Sequence, residues 1–156
     1  MKITDFLCPT AVTADLKAAD KKGVIEELID LMIAQGAVPK KHKMKIIEAL
    51  TAREALGSTA IGQGVAIPHA KSECVSKLVG CVGISKAGVD FDSLDGDPAH
   101  IFFLLVAPMD SAGPHLKALA RIAKLLKDKY FRENLRTSKD EKTILKLISV
   151  EDKRTA

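Results

Sequence analysis

The sequence predicts an α/β fold, a mixed β-sheet flanked by helices on both faces. Three observations carry this reading. Between Asp20 and Leu56 apolar residues recur at helical spacing. Between Ile61 and Ala107 the pattern changes to glycine-punctuated apolar runs of strand length. From Pro114 onward helical spacing returns. Strands with helices before and after them bury their apolar faces best as an α/β sandwich.

The elements follow in order. A short strand is expected around residues 11–14. In "KKGVIEELIDLMIAQG", Val24, Leu28 and Leu31 form a helical stripe, widened by Ile25, Ile29 and Met32. Asp20 suits the N-cap and Gly36 the position past the end. A second helix is predicted from Lys40 to Leu56, with Met44, Ile47 and Leu50 as its face and Gly57 as its stop. "IGQGVAIPH" reads as strand broken by glycines. Lys77 to Ser85 and Ile101 to Ala107 read as strands. The second is apolar throughout, as a central strand covered on both faces would be. Asp92 to Pro98 is a turn-rich connection between them. Pro114 suits a first helical position, with Leu116, Leu119, Ala123 and Leu126 as the buried face. Ser138 and Glu141 have capping-box spacing ahead of Ile144, Leu145 and Ile148.

No repeat, low-complexity tract or linker breaks the 156 residues, so a single domain over 1–156 is expected. Hydrophobic content of 47% with 28% charged residues fits an ordinary globular chain with a real core. The net charge of +4 is spread among 20 acids, and the aromatic interleaving of nucleic-acid binders is missing. No nucleic-acid partner is expected. Cys8, Cys74 and Cys81 are odd in number and lack metal-ligand spacing, so they read as reduced thiols. There is no apolar signal core and no run of membrane-span length. A cytoplasmic protein without membrane insertion is the expectation.

The chemistry concentrates around "GVAIPHAKSE". His69 directly follows Pro68, which fixes φ and lacks an N–H, at the end of an apolar run. Neutral imidazole is a good nucleophile near pH 7. Gly62 and Gly64 would let backbone amides approach an anion. His115 falls in the first turn of a predicted helix, where an anion is favoured. Arg53 lies just before the glycine loop, where a guanidinium could bracket phosphoryl oxygens. Two histidines, an arginine and a glycine loop suit phosphoryl transfer. No nucleotide-binding P-loop is present, so the group would arrive already activated. A metal at His69 and His115 lacks an evident third ligand, so neither metal nor cofactor is expected. His42 reads as a solvated helix-start residue and His100 as a strand-edge one. Cys74 and Cys81 read as packing residues.

"REALGSTAIGQGVAIPHAK", Arg53 to Lys71, closely resembles the active-site signature of enzyme IIA proteins of the bacterial phosphoenolpyruvate-dependent phosphotransferase system. The branch is the fructose–mannitol–nitrogen-regulatory type. The resemblance runs from "ITDFLCPTAV" to the last helix and includes "PHLKALARIAKLLKD", Pro114 to Asp128. It implies that family's fold, and His69 as the residue phosphorylated on Nε2 by the histidine phosphocarrier protein. Arg53 and His115 would line the site, and Thr59 would support the loop. One departure is Ala60, where the family pattern has glycine; it adds a methyl at a tight turn and removes no functional group. The resemblance leaves two outlets: a nitrogen-related regulatory output through partner proteins, which the wording of the sequence favours, or transfer to a IIB domain for sugar uptake. A binding module that no longer turns over phosphate is the competing class; retention of His69, His115 and Arg53 together argues against it.

Overall fold

The structure, a computed structural model, describes residues 1–155. In chain order the main elements are β1 (Leu7–Thr13), α1 (Lys21–Ala34), α2 (Lys43–Ala55), β2 (Ala60–Gly62), β3 (Val65–Ala66), β4 (His69–Lys71), β5 (Val79–Val89), β6 (Ala99–Ala107), α3 (Ala112–Leu125), α4 (Lys129–Arg136) and α5 (Glu141–Arg154).

Strand β6 organises the sheet. All of its side chains but His100 are buried. Successive residues of a strand point to opposite faces. Accordingly Phe102, Leu104 and Val106 join Leu28, Met32, Ile46 and Leu50 in a core beneath α1 and α2. Ile101, Phe103 and Leu105 face Ala118, Ile122, Phe131, Leu135, Ile144 and Ile148 of α3–α5. Helices therefore cover both faces, as the uninterrupted apolar run predicts. The path across the sheet is β1-β5-β6-β3-β2, with β4 also paired to β6. β5 runs antiparallel to β6, whereas β3 and β4 run parallel to it, so the sheet is mixed.

Local chemistry sets the helix ends. The Asp20 carboxylate accepts the Gly23 N–H at 2.7 Å, and Gly36 adopts φ +75° after α1, as the sequence predicts. Other expectations are corrected. The first strand begins earlier, at Leu7. Residues 40–42 form a 3-10 turn before α2. α3 starts at Ala112, so Pro114 is its third residue, still within the first turn where no N–H is required. The cap of α5 is Asp140, whose carboxylate accepts from Thr143 N and Oγ1; Ser138 instead donates to the Asn134 carbonyl at the end of α4. α4 has no counterpart among the elements the sequence predicts, although Asp128 caps it and Phe131 and Leu135 bury its inner face.

Two helix faces are rotated from their predicted positions. In α2, Met44 is 63% exposed and the buried stripe is Ile46, Leu50 and Glu54. In α3, Leu116 is 68% exposed and the stripe is His115, Ala118, Ile122 and Leu125. In each case a titratable residue holds a core-facing position, and a reading based on apolar spacing turns the helix away from it.

The layer of α3–α5 is tied to the N-terminus by one buried ion pair. Arg121 donates to Asp152 Oδ1 from Nε at 3.0 Å and from Nη2 at 2.8 Å, while Asp152 Oδ2 accepts the Thr4 N–H at 3.0 Å. Their side chains are only 9% and 1% exposed. Arg121→Ala leaves a buried carboxylate uncompensated and is expected to cost ~3–5 kcal/mol, read as a lower urea midpoint at unchanged m-value.

Candidate functional site

The site begins where a ladder breaks. β3 and β4 lie along the same edge of β6, Val65 opposite Ile101 and His69 opposite Leu105. Ile67 and Pro68 between them are buried. The Pro68 carbonyl still accepts the Leu105 N–H at 3.0 Å, but Pro68 has no N–H to return. The Ile67 N–H turns away from β6 to the Thr59 carbonyl at 3.0 Å.

His69 opens β4 half-buried, and its Nδ1 lies 2.7 Å from the Ile67 carbonyl oxygen. A carbonyl only accepts, so Nδ1 carries the proton and Nε2 keeps the lone pair of the neutral ring. The His115 ring stands edge-on to it, centroids 5.4 Å apart and planes at 75°. His115 is 6% exposed, and its buried Nε2 has no hydrogen-bond partner. α3 starts without a side-chain cap, and His115 lies in its first turn.

Charge on the rings is disfavoured. Burial pulls His69 below the usual histidine range, and Arg53 adds to that; the Ile67 carbonyl and Glu54 oppose it. Burial, His69 and then Lys71 push His115 down to about 4. Both rings are therefore neutral at pH 7, with cationic Arg53 and Lys71 within electrostatic reach. Such a site offers a nucleophilic nitrogen and an unfilled polar partner to an incoming anionic electrophile.

Arg53 sits in the last turn of α2, where Nη1 donates to the Gly57 carbonyl at 2.8 Å and leaves most of the guanidinium fork free. Thr59 is buried; both its N–H and its hydroxyl donate to the Glu54 carboxylate. Glu54 also accepts from Lys21 at 2.9 Å. Burial, the largest influence on Glu54, opposes ionisation, but the Thr59 and Lys21 bonds outweigh it and its carboxyl is held below the usual range. Neither Glu54 nor Lys71 stands out in the sequence as a candidate site residue. Glu54 looks there like one more surface acid, and only its place on the stripe Ile46–Leu50–Glu54 gives it away.

The glycines lie elsewhere. Gly62, Gln63 and Gly64 have φ of +89°, +59° and +78° and make the β2–β3 turn. The Gln63 N–H is taken by Asp95 Oδ2 at 2.9 Å, and the Gly64 carbonyl accepts the His100 and Ile101 N–H groups. His69 pairs four residues further along β6, about 13 Å away at the usual strand rise. The expectation that these amides approach an anion at His69 is corrected: the fold uses the glycines for a hairpin turn at the other end of the strand. His100 stays at that far end, with Nδ1 2.9 Å from the Ser85 carbonyl oxygen. Burial pushes the Cys81 thiol up, and Cys74 is partly buried against the α1–α2 core. Among the described residues no group of three or more His, Cys, Asp or Glu could hold a metal ion, and no helix is long and apolar enough to cross a membrane.

Comparison with known proteins places this geometry in context. The family described as "Phosphoenolpyruvate-dependent sugar phosphotransferase system, EIIA 2" matches residues 5–150. A nitrogen regulatory protein of Bradyrhizobium diazoefficiens is 40% identical over 151 residues, covering 96% of each chain. The fructose-specific EIIABC component of Bacillus subtilis is 37% identical over 98% of this chain, which spans 24% of that longer protein. The crystal structure of nitrogen regulatory protein IIA-Ntr from Neisseria meningitidis superimposes with a TM-score of 0.84 at 32% identity, covering 94% of this chain and 98% of that one.

The ring environment has a consequence for acid stability. An unfolded histidine titrates near 6.5, whereas folded His115 titrates near 4. Between these values the unfolded chain binds more protons, so stability rises with pH. Unfolding free energy is expected to fall as pH drops from 6.5 to about 4, and His115→Gln should flatten that slope. Urea titrations at stepped pH check it, and histidine NMR should show both rings neutral at pH 7.

Proposed function

The chain belongs to the phosphoenolpyruvate-dependent sugar phosphotransferase system EIIA 2 family, and on that premise we propose that it is a phosphoryl carrier with His69 as acceptor. The observation that carries the reading is the His69 tautomer. Nδ1 is engaged at 2.7 Å by a backbone carbonyl, which leaves Nε2 as the nucleophile. The donor is the histidine phosphocarrier protein. The Nε2 lone pair attacks phosphorus as the donor's P–N bond breaks, and that electron pair returns to the donor ring. Nδ1–H stays in place throughout, so the phosphorylated ring needs no proton rearrangement.

The surroundings suit an anion that arrives and leaves. Arg53 offers free guanidinium donors, and Lys71 adds positive charge. The unpartnered Nε2 of His115 gains a partner when a phosphoryl group occupies His69, and the negative charge offsets the desolvation that keeps the ring neutral. Thr59 holds the backbone beneath Ile67. Gly62 and Gly64 serve the hairpin turn rather than the anion. In this reading residues 1–156 form a single IIA type-2 domain acting in the cytoplasm, with no cofactor.

The output we propose is regulatory and nitrogen-related: partner proteins distinguish the phosphorylated from the free form. Likeness over nearly full length to nitrogen regulatory proteins supports it. The likeness to a fructose-specific EIIABC component supports the second reading, delivery of the group to a IIB domain. A docking partner would meet exposed Leu116 beside His115 and exposed Met109 between β6 and α3. Ile67 and Pro68, the apolar residues just before His69, are buried and cannot offer that contact.

Mixing the protein with phosphoenolpyruvate, enzyme I and the phosphocarrier is expected to add one acid-labile phosphoryl group by intact mass. His69→Ala should add none, while His42→Ala and His100→Ala label normally. His115→Ala should still be labelled, with onward transfer slowed ~10²–10³-fold, and Arg53→Lys should lose more than its retained charge suggests. Labelling of His69→Ala to the wild-type level sinks the assignment.

Phosphorylation adds roughly two negative charges next to an apolar contact surface. A regulatory partner is expected to bind the free form and to bind His69→Asp more weakly. Pull-downs from cell extract with the two baits test this. Identical recoveries, together with rapid transfer from His69 to a purified IIB domain, would select the sugar-transport reading.

A further inference from the structure

Glu54 is an expensive residue where it stands. Its side chain is 5% exposed, and it lies in the last turn of α2, the end at which the helix dipole disfavours an acid. Neither Arg53 nor any other free cation of the site pairs with it. Its ion-pair partner is Lys21, which reaches over from the start of α1, also binds Asp92 at 2.9 Å, and sits 5.0 Å above the Phe91 ring. Lys21 and Thr59 thus keep the carboxylate charged and fixed, while Asp92 and Phe91 hold Lys21 in place.

What this carboxylate does is visible in the β2–β3 ladder. Those strands are antiparallel, with Ala60 opposite Ala66, and the pairing extends one step to Thr59 opposite Ile67. Residues in a hydrogen-bonded antiparallel pair normally exchange two bonds, N–H to carbonyl in each direction. Here only one is made: the Ile67 N–H donates to the Thr59 carbonyl at 3.0 Å. The reciprocal donor, the Thr59 N–H, goes to both Glu54 carboxylate oxygens at 3.2 Å, and the Thr59 hydroxyl goes to the same carboxylate. The Ile67 carbonyl, which the ladder would otherwise use, accepts from His69 Nδ1 at 2.7 Å instead.

We infer that Glu54 is a positioning residue for His69: by drawing the Thr59 N–H out of the ladder it leaves the Ile67 carbonyl to the Nδ1–H of His69, and so fixes the tautomer that exposes Nε2. The inference rests on the phosphoryl-carrier reading for its consequence, not for its geometry. Without the carboxylate, the Thr59 N–H closes on the Ile67 carbonyl and competes with the ring. His69 then samples both tautomers, and the fraction with a free Nε2 lone pair falls. Thr59 is the second part of the device, because its hydroxyl holds it against Glu54. The Lys21 ammonium is the third, because it keeps the carboxylate ionised.

Nitrogen-15 NMR of the unphosphorylated protein reads the device directly. Wild-type His69 should be in the Nδ1–H form, with no coupling across a hydrogen bond from the Thr59 nitrogen to the Ile67 carbonyl carbon. In Glu54→Ala that coupling should appear, His69 should become a mixture of tautomers, and transfer from the phosphocarrier should slow about 10–100-fold. Thr59→Val should shift the ring in the same direction, and Thr59→Ser, which keeps the hydroxyl, should restore it. Glu54→Gln retains one acceptor and should fall between wild type and Glu54→Ala; with Thr59→Val it decides the matter should Glu54→Ala not fold. A ring that stays wholly in the Nδ1–H form in the folded variants overturns the inference, whatever happens to their melting temperatures. Should wild-type His69 accept no phosphoryl group, the functional reading fails while the resting-state tautomer still judges Glu54.

Discussion

Strand β6 imposes the constraint on which the rest of the molecule depends. It is an interior strand, so both its faces must be apolar and both its edges must be paired. One edge is satisfied by β5. The other is shared end to end by β3 and β4, which a single unbroken strand could have served equally well. Because Pro68 interrupts that edge, β6 keeps its bond to the Pro68 carbonyl while the chain around it is free to turn. His69 is delivered at the break, on a backbone held by a strand that cannot move without disturbing two cores.

The same economy is visible in how polar groups reach the site. His115 and Glu54 both stand on the buried stripe of their helices, one from each face of the sheet. Each is therefore fixed by the packing of its helix rather than by a flexible loop. A side chain anchored this way loses little further freedom when a ligand arrives, which suits the phosphoryl-carrier role proposed for the site. The cost is desolvation. It appears as the depressed titration of both histidines, and it is relieved at Glu54 by Lys21 and Thr59.

A site built of neutral rings among cations is compatible with either of the two outputs proposed for His69. On the proposed reading, phosphorylation of His69 changes the charge of a site next to which the chain exposes Leu116 and Met109. A partner that buries these side chains responds to that change through desolvation alone, whereas a transfer partner responds to the leaving group.

Much of this was legible in the sequence. The apolar run Ile101–Ala107 specifies a strand covered on both faces, because nothing in it tolerates water. Asp20 and Gly36 mark the ends of α1 by capping chemistry that needs only local geometry. The wording of Arg53–Lys71 points to the family that the comparisons show, and the Pro68–His69 pair to the histidine proposed as its nucleophile. Tertiary structure alone decided the rest. Helical periodicity treats Glu54 and His115 as polar and rotates their helices outward, because it has no means of knowing that a carboxylate will meet Thr59 and Lys21 or that a ring will meet His69. Gly62 and Gly64 looked like anion-binding loop residues, yet strand register sends them to the far end of β6. The physical reason is common to all of these. Caps and apolar runs are settled by interactions within a few residues, whereas the Glu54–Thr59 bonds, the freed Ile67 carbonyl and the His69–His115 contact exist only once distant segments have been packed against one sheet.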